Sequence, residues 1–127
     1  MTRQMSTAMR DCIDLCNECH VRCEEMMTRC MEIGGAKLGM MMVTCADMSR
    51  MSADMMMRCS SMVADLEMMR MCAKMCGLSS QMMRMCAEEC AKTGDAELAE
   101  AADMMMRCAE LCGTITAEMM MENAELA

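Results

Sequence analysis

Thirteen cysteines carry the chemistry that this chain offers. Cys12, Cys16, Cys19, Cys23 and Cys30 follow one another at steps of four, three, four and seven residues. Those steps put every sulfur on one stripe of a helix, where an ordinary bundle helix would present leucines. Cys45 and Cys59, then Cys72, Cys76, Cys86 and Cys90, then Cys108 and Cys112 recur at spacings that suit the inward faces of three more helices. A single buried cysteine is a small hydrophobe. Thirteen of them on inward stripes make a ligand set for soft metal ions.

Thiolate-only sites suit Cu(I), Zn(II) or iron–sulfur clusters. Zinc favours closed tetrahedral sets, often built from paired C-x2-C units, and the chain has one such unit, Cys16 to Cys19. Its recurring unit is C-x3-C: Cys12/Cys16, Cys19/Cys23, Cys72/Cys76, Cys86/Cys90 and Cys108/Cys112. Sulfurs four residues apart on one helix face can pinch an ion in linear or trigonal geometry, which Cu(I) accepts. If thiolates bridge neighbouring ions, capacity approaches one Cu(I) per cysteine.

Four helices must position these thiols. There are no prolines and only 6 glycines in 127 residues, which favours long uninterrupted helices. Helices are expected at about residues 2–33, 36–59, 62–92 and 96–122. Gly34-Gly35, Ser60-Ser61 and Thr93-Gly94-Asp95 mark the turns, with Gly94 ending one helix and Asp95 capping the next. Short connections between antiparallel helices imply an all-α, up-down-up-down four-helix bundle with a cysteine-lined core, as a single domain over residues 1–127. The Met-Met-Arg-Met-Cys unit that ends at Cys72 returns 14 residues later at Cys86. That interval is two heptads and so repeats one helix face. Folding at these turns with equal rise per residue puts Cys23, Cys45, Cys76 and Cys112 in one layer, with Cys19 and Cys72 in the next. Cys16 follows, then Cys12 and Cys59 at the end where the second and third helices turn. Cys108, Cys30, Cys86 and Cys90 lie in the other direction.

Composition narrows the function. Acidic residues outnumber basic ones 20 to 12, for a net charge of -8, which argues against a nucleic-acid binder with its basic stripe. The chain has 28 methionines and no Phe, Tyr or Trp. Methionine must therefore fill much of the core, a composition expected of a designed or redesigned sequence. In triplets such as Met40-Met41-Met42 and Met104-Met105-Met106, all three side chains cannot face inward. The odd cysteine count argues against a complete disulfide framework. Residues Met1 to Asp11 hold no apolar core of signal-peptide length, and no stretch is long and apolar enough to span a membrane. A cytoplasmic protein with reduced thiols is expected, a leader trimmed ahead of Met1 being invisible to such a reading. No Ser-His-Asp set, phosphate loop or Glu-x-x-His pair is present. One histidine, His20, leaves little for acid–base catalysis, so no enzyme is expected. His20 lies off the thiol stripe and reads as a surface or helix-interface residue.

The helix 1 pattern Cys12-x3-Cys16-Asn17-x-Cys19-x3-Cys23-Glu24, with Cys86-Ala-Glu-Glu-Cys90 and Cys108-Ala-Glu-Leu-Cys112, resembles the bacterial copper storage proteins. The resemblance covers nearly the whole chain. It implies a bundle whose core thiolates hold many Cu(I) ions, assembled as a homo-oligomer, often a tetramer, that stores or buffers copper received from an unknown donor. In cytosolic members of that family the positions of Met48, Ser52, Ser79, Met83, Ile115 and Met119 tend to carry further cysteines. All thirteen cysteines are the expected copper ligands. Met5, Met9, Met62 and Met119 are expected to cluster beside Cys12 and Cys59 as a copper entrance. Two other readings compete with storage: a structural Met/Cys-rich bundle with no metal role, and a single Fe–S or Zn site in the layer of Cys23, Cys45, Cys76 and Cys112.

Overall fold

The computed structural model describes residues 6–61 and 65–126. Four helices run in chain order: α1 (Thr7–Glu25), α2 (Met27–Ser61), α3 (Leu66–Lys92) and α4 (Ala96–Leu126). Neighbouring helices pack in a ring, α1 on α2, α2 on α3, α3 on α4 and α4 on α1. This is the expected four-helix bundle, with no strand among the described residues.

The boundaries follow from local chemistry. Ser6 is extended and its hydroxyl accepts the Met9 amide at 3.1 Å, so α1 starts at Thr7, while the expected start at residue 2 lies outside the described residues. At Met26 the backbone loosens (ψ -2), yet hydrogen bonds from Met26 N to Arg22 O and from Cys30 N to Met26 O carry the rod onward. The true reversal is Gly35, at φ 82 and ψ -176, a region that in practice only glycine occupies. It divides α2 into a short segment, 27–34, that extends α1, and a long one, 36–61, that returns beside it. Gly39 lies just after this turn, where an added Cβ would fall 2.4 Å from Met31 Cγ.

The α3–α4 turn matches its sequence signal. Gly94 has φ 78, and Asp95 caps α4 by accepting the Leu98 amide at 3.0 Å. Arg29 clamps the same carboxylate through two donors, Nε to Oδ2 at 2.8 Å and Nη2 to Oδ1 at 2.6 Å. That fork ties the end of the α1 rod to the α3–α4 turn and, with the Leu98 amide, holds the Asp95 carboxyl down at about 2. Along α3 and α4, Ser80 donates to Ala109 O at 2.7 Å and Thr116 to Ala73 O at 3.2 Å. Side-chain bonds to a neighbouring helix backbone require close approach, which Ala73, Gly77, Ala109 and Gly113 permit.

The α2–α3 turn differs from expectation. Ser60 does not end α2: its hydroxyl bonds back to Met56 O at 2.8 Å and Met57 O at 3.2 Å, a pattern that serine adopts inside helices. The helix continues to Ser61, and α3 begins at Leu66 under a different cap, Asp65, whose carboxylate accepts the Met68 amide at 2.8 Å. With α2 reaching Ser61 and α3 starting at Leu66 in place of about residue 62, all of α3 and α4 slide along α1 and α2 relative to the expected register.

The core is methionine, alanine, cysteine and a few Leu and Ile side chains. Met42, Met56, Met83, Met105 and Met119 are fully enclosed, whereas Met40 and Met121 are 70% and 66% exposed. The triplets thus split between core and surface, as helix geometry demands. No helix among the described residues is long and apolar enough to cross a membrane.

Candidate metal centre

All thirteen cysteines are buried, each at most 2% exposed, and none forms a disulfide. Each lies inward, as its spacing predicts. They belong to all four helices, which bring their sulfurs into contact. Cys12 Sγ lies 3.6 Å from Cys112 Sγ, and Cys16 Sγ lies 3.5 Å from both Cys108 and Cys112. Cys19 and Cys23 are 3.9 Å apart. Two triads, Cys12/Cys16/Cys112 and Cys19/Cys23/Cys45, each gather their sulfurs within 4.8 Å, close enough to share one metal ion.

The triads are parts of one run. Cys108 also meets Cys19, which joins them. Cys45 meets Cys86, Cys86 meets Cys90, and Cys90 meets Cys30 at the far end. Toward the other end Cys72 meets Cys76 and Cys59. A column of sulfur along the bundle axis is present.

Its layers are not those expected. Cys23 does share a level with Cys45, but Cys76 and Cys112 do not join them. The α3 partner of Cys45 is Cys86, ten residues beyond Cys76, and Ser52 faces Ser79 at 2.5 Å. Cys112 sits with Cys12 and Cys16, and Cys12 is about 16 Å along α1 from Cys23 at 1.5 Å per residue. Cys72 is likewise with Cys59, not level with Cys19. The cause is the displaced α2–α3 turn. The supposed Fe–S or Zn layer of Cys23, Cys45, Cys76 and Cys112 therefore has no common centre.

At the middle of the column the α2 and α3 walls carry hydroxyls in place of thiols. Ser49, Ser52 and Ser79 are fully buried. Ser49 donates to Cys45 O at 2.7 Å and Ser79 to Met48 O at 3.2 Å, so these hydroxyls are satisfied without metal. Met83, Ile115 and Met119 are also buried, and Met48 is half-buried.

The thiols shape one another's acidity. Cys12 is raised by bonding to Cys112 and Cys16 and by burial. Cys45 is raised by Cys19 and Cys23, and burial pushes Cys30 up to about 12. Cys19 is lowered by Cys108, Cys23 and Cys45, and Cys112 by Cys108, Cys12 and Cys16. Neighbouring thiols thus favour the charged form at these two sulfurs and disfavour it at the sulfurs around them.

His20 is turned away from the column. Its Nδ1 donates to Ala46 O at 2.7 Å and its Nε2 faces Glu24 at 2.7 Å, which makes it a bridge between α1 and α2. It borders an outer groove of about 650 Å³, with Met51, Met55, Met68 and Cys59 among its other walls. Of the expected entrance residues, Met9 and Met119 are buried in the core beyond Cys12 and Cys112. Met5 and Met62 lie outside the described residues.

Comparison with curated proteins found no match, and comparison with solved structures found none. A family model for copper storage proteins matches residues 5–118, which includes every cysteine, and on that match the chain belongs to the copper storage protein family.

Proposed function

We propose that the protein stores copper as multiple Cu(I) ions held by its thirteen core cysteines, and that it acts as a reservoir and not as a catalyst. The observation that carries this reading is the unbroken run of buried sulfurs from Cys12 to Cys30, with neighbours 3.5 to 3.9 Å apart where sulfur meets sulfur most closely. At metal–sulfur bonds of about 2.3 Å, two sulfurs on one trigonal or tetrahedral ion stand about 3.8–4.0 Å apart. Small adjustments would therefore convert thiol contacts into shared ions.

Charge favours a monovalent cargo. Thirteen bare thiolates in an apolar core would be prohibitively costly, and burial keeps most of these thiols protonated. Each thiolate formed releases one proton. A Cu(I) that replaces each proton leaves the core neutral, and bridging thiolates let every ion have more than one sulfur. The neutral end point is about one Cu(I) per cysteine.

The test is titration of the reduced apo-protein with Cu(I) against a competing chelator, under anaerobic conditions. Tight uptake that approaches thirteen ions per chain is expected. Saturation at a single ion, or no uptake, would overturn storage. A brown chromophore after iron–sulfur reconstitution would favour a cluster protein instead.

A further inference from the structure

Met105 stands where the fourth wall of the central layer lacks a cysteine. The layer takes Cys23 from α1, Cys45 from α2 and Cys86 from α3, whereas the nearest α4 thiol, Cys108, meets Cys16 and Cys19 on α1 and stands outside the Cys19/Cys23/Cys45 triad. Met105 is 1% exposed, and its Sδ lies 3.6 Å from Cys45 Sγ, with the thiol donating to the thioether. Cys45 is itself within 4.8 Å of Cys19 and Cys23. Leucine or isoleucine would fill this space as well. What methionine adds is a soft, neutral sulfur lone pair turned toward a thiol.

We propose that Met105 is a copper ligand whose thioether joins Cys19, Cys23 and Cys45 in a mixed thiolate–thioether site. The inference rests on the copper reading above and extends it beyond the cysteines. The 3.6 Å separation is close to the roughly 3.8 Å that two sulfurs span on one tetrahedral ion with bonds of about 2.3 Å. The thioether also answers a charge problem. Three thiolates on one Cu(I) leave two excess negative charges in an apolar core, whereas a thioether gives the ion a further sulfur and no charge. As Cu(I) enters, protons leave the thiols, and the thioether, having none, simply exchanges its S–H···S contact for a metal bond.

The test uses full-length reduced protein labelled with [methyl-13C]methionine, wild type and Met105→Leu, with Cu(I) as the probe. The ε-methyl signal missing from the M105L spectrum identifies Met105. It is expected to shift within the first few equivalents of copper, as the ultraviolet thiolate-to-copper absorption grows. M105L, a volume-conserving exchange, should melt near the wild-type temperature as apo-protein. It should also surrender its earliest-bound copper to chelator about tenfold more readily, the lower end of what losing a metal-site partner costs. A Met105 signal that stays in place while the absorption grows overturns the proposal, as does equal copper retention by the two proteins. If the wild type retains no copper and develops no such absorption, the storage reading falls with it, an outcome distinct from either of those.

Discussion

At the scale of single residues, one atom separates ligand from spectator. Ser52 and Ser79 are as deeply buried as the cysteines and sit at the level of Cys16, yet their oxygens are hard donors that a soft ion ignores. They spend their hydrogen bonds on each other and on Met48 O. The column at this level therefore depends on α1 and α4 alone, through Cys16, Cys108 and Cys112. Exchanging oxygen for sulfur should complete the ring. The double variant Ser52→Cys/Ser79→Cys is expected to bind about two more Cu(I) ions, one for each added thiolate. Its apo form should lose on the order of 1 kcal/mol with the serine–serine bond. Copper titration and chemical denaturation read the two effects, and unchanged capacity would show that this level of the column cannot take metal.

At the scale of elements, glycines serve different ends, and substitution separates Gly35 from Gly77. Gly35, at φ 82 and ψ -176, has space around it but a backbone that an L side chain resists. Gly35→Ala is expected to cost about 1–3 kcal/mol in chemical denaturation. Gly77 lies inside α3, where an added Cβ would find Thr116 Cγ2 at an ordinary 3.6 Å. Gly77→Ala should therefore stabilise by roughly 0.5–1 kcal/mol. Equal effects at the two positions would refute this distinction. The same elements explain how far the sequence could be read. Gly35 and Gly94-Asp95 use glycine and a cap in ways that a residue pattern exposes, so the first and third turns stand where the sequence predicts them. Ser60 looks like a helix stop but satisfies its hydroxyl on the preceding turn, while Asp65, with Glu67 in the first turn after it, is the working start signal. The inward thiol stripes were legible because each depends only on periodicity within one helix. Which thiols meet was not, because a few residues' error at one turn shifts every pairing made by α3 and α4. The position of Met105 is hidden in the sequence for a different reason. Among 28 methionines, nothing in the sequence separates a sulfur beside Cys45 from a core filler.

At the scale of the whole molecule, protons and copper compete for the same core, so stability should depend on pH in opposite ways with and without metal. In the apo-protein nine cysteines have their pKa raised above the ordinary thiol value, so that they hold their protons more tightly: Cys12, Cys16, Cys23, Cys30, Cys45, Cys72, Cys86, Cys90 and Cys108. A thiol whose folded value is raised contributes stability that is fully present below its unfolded value and is lost as pH climbs toward the folded one. For Cys30 that window runs from about 9 to about 12. Cys19 and Cys112 are lowered and act in the reverse sense, but they are two against nine. The apo-protein should therefore lose stability steadily from about pH 9 upward, as the unfolded chain releases protons that the folded core retains. In the loaded protein copper has already displaced those protons. Its stability should be nearly flat above about pH 9 and fall progressively as pH drops below that, where the unfolded thiols hold protons and protons compete with the metal for the thiolates. Each bound ion adds stability by binding the folded form alone, so the two curves should diverge most on the alkaline side. Thermal melts of reduced apo and copper-loaded protein between pH 5 and 11 would show this. An apo midpoint unchanged from pH 8 to 11 would mean that the core does not need its thiols neutral, and the argument for a monovalent cargo replacing protons one for one would fail with it.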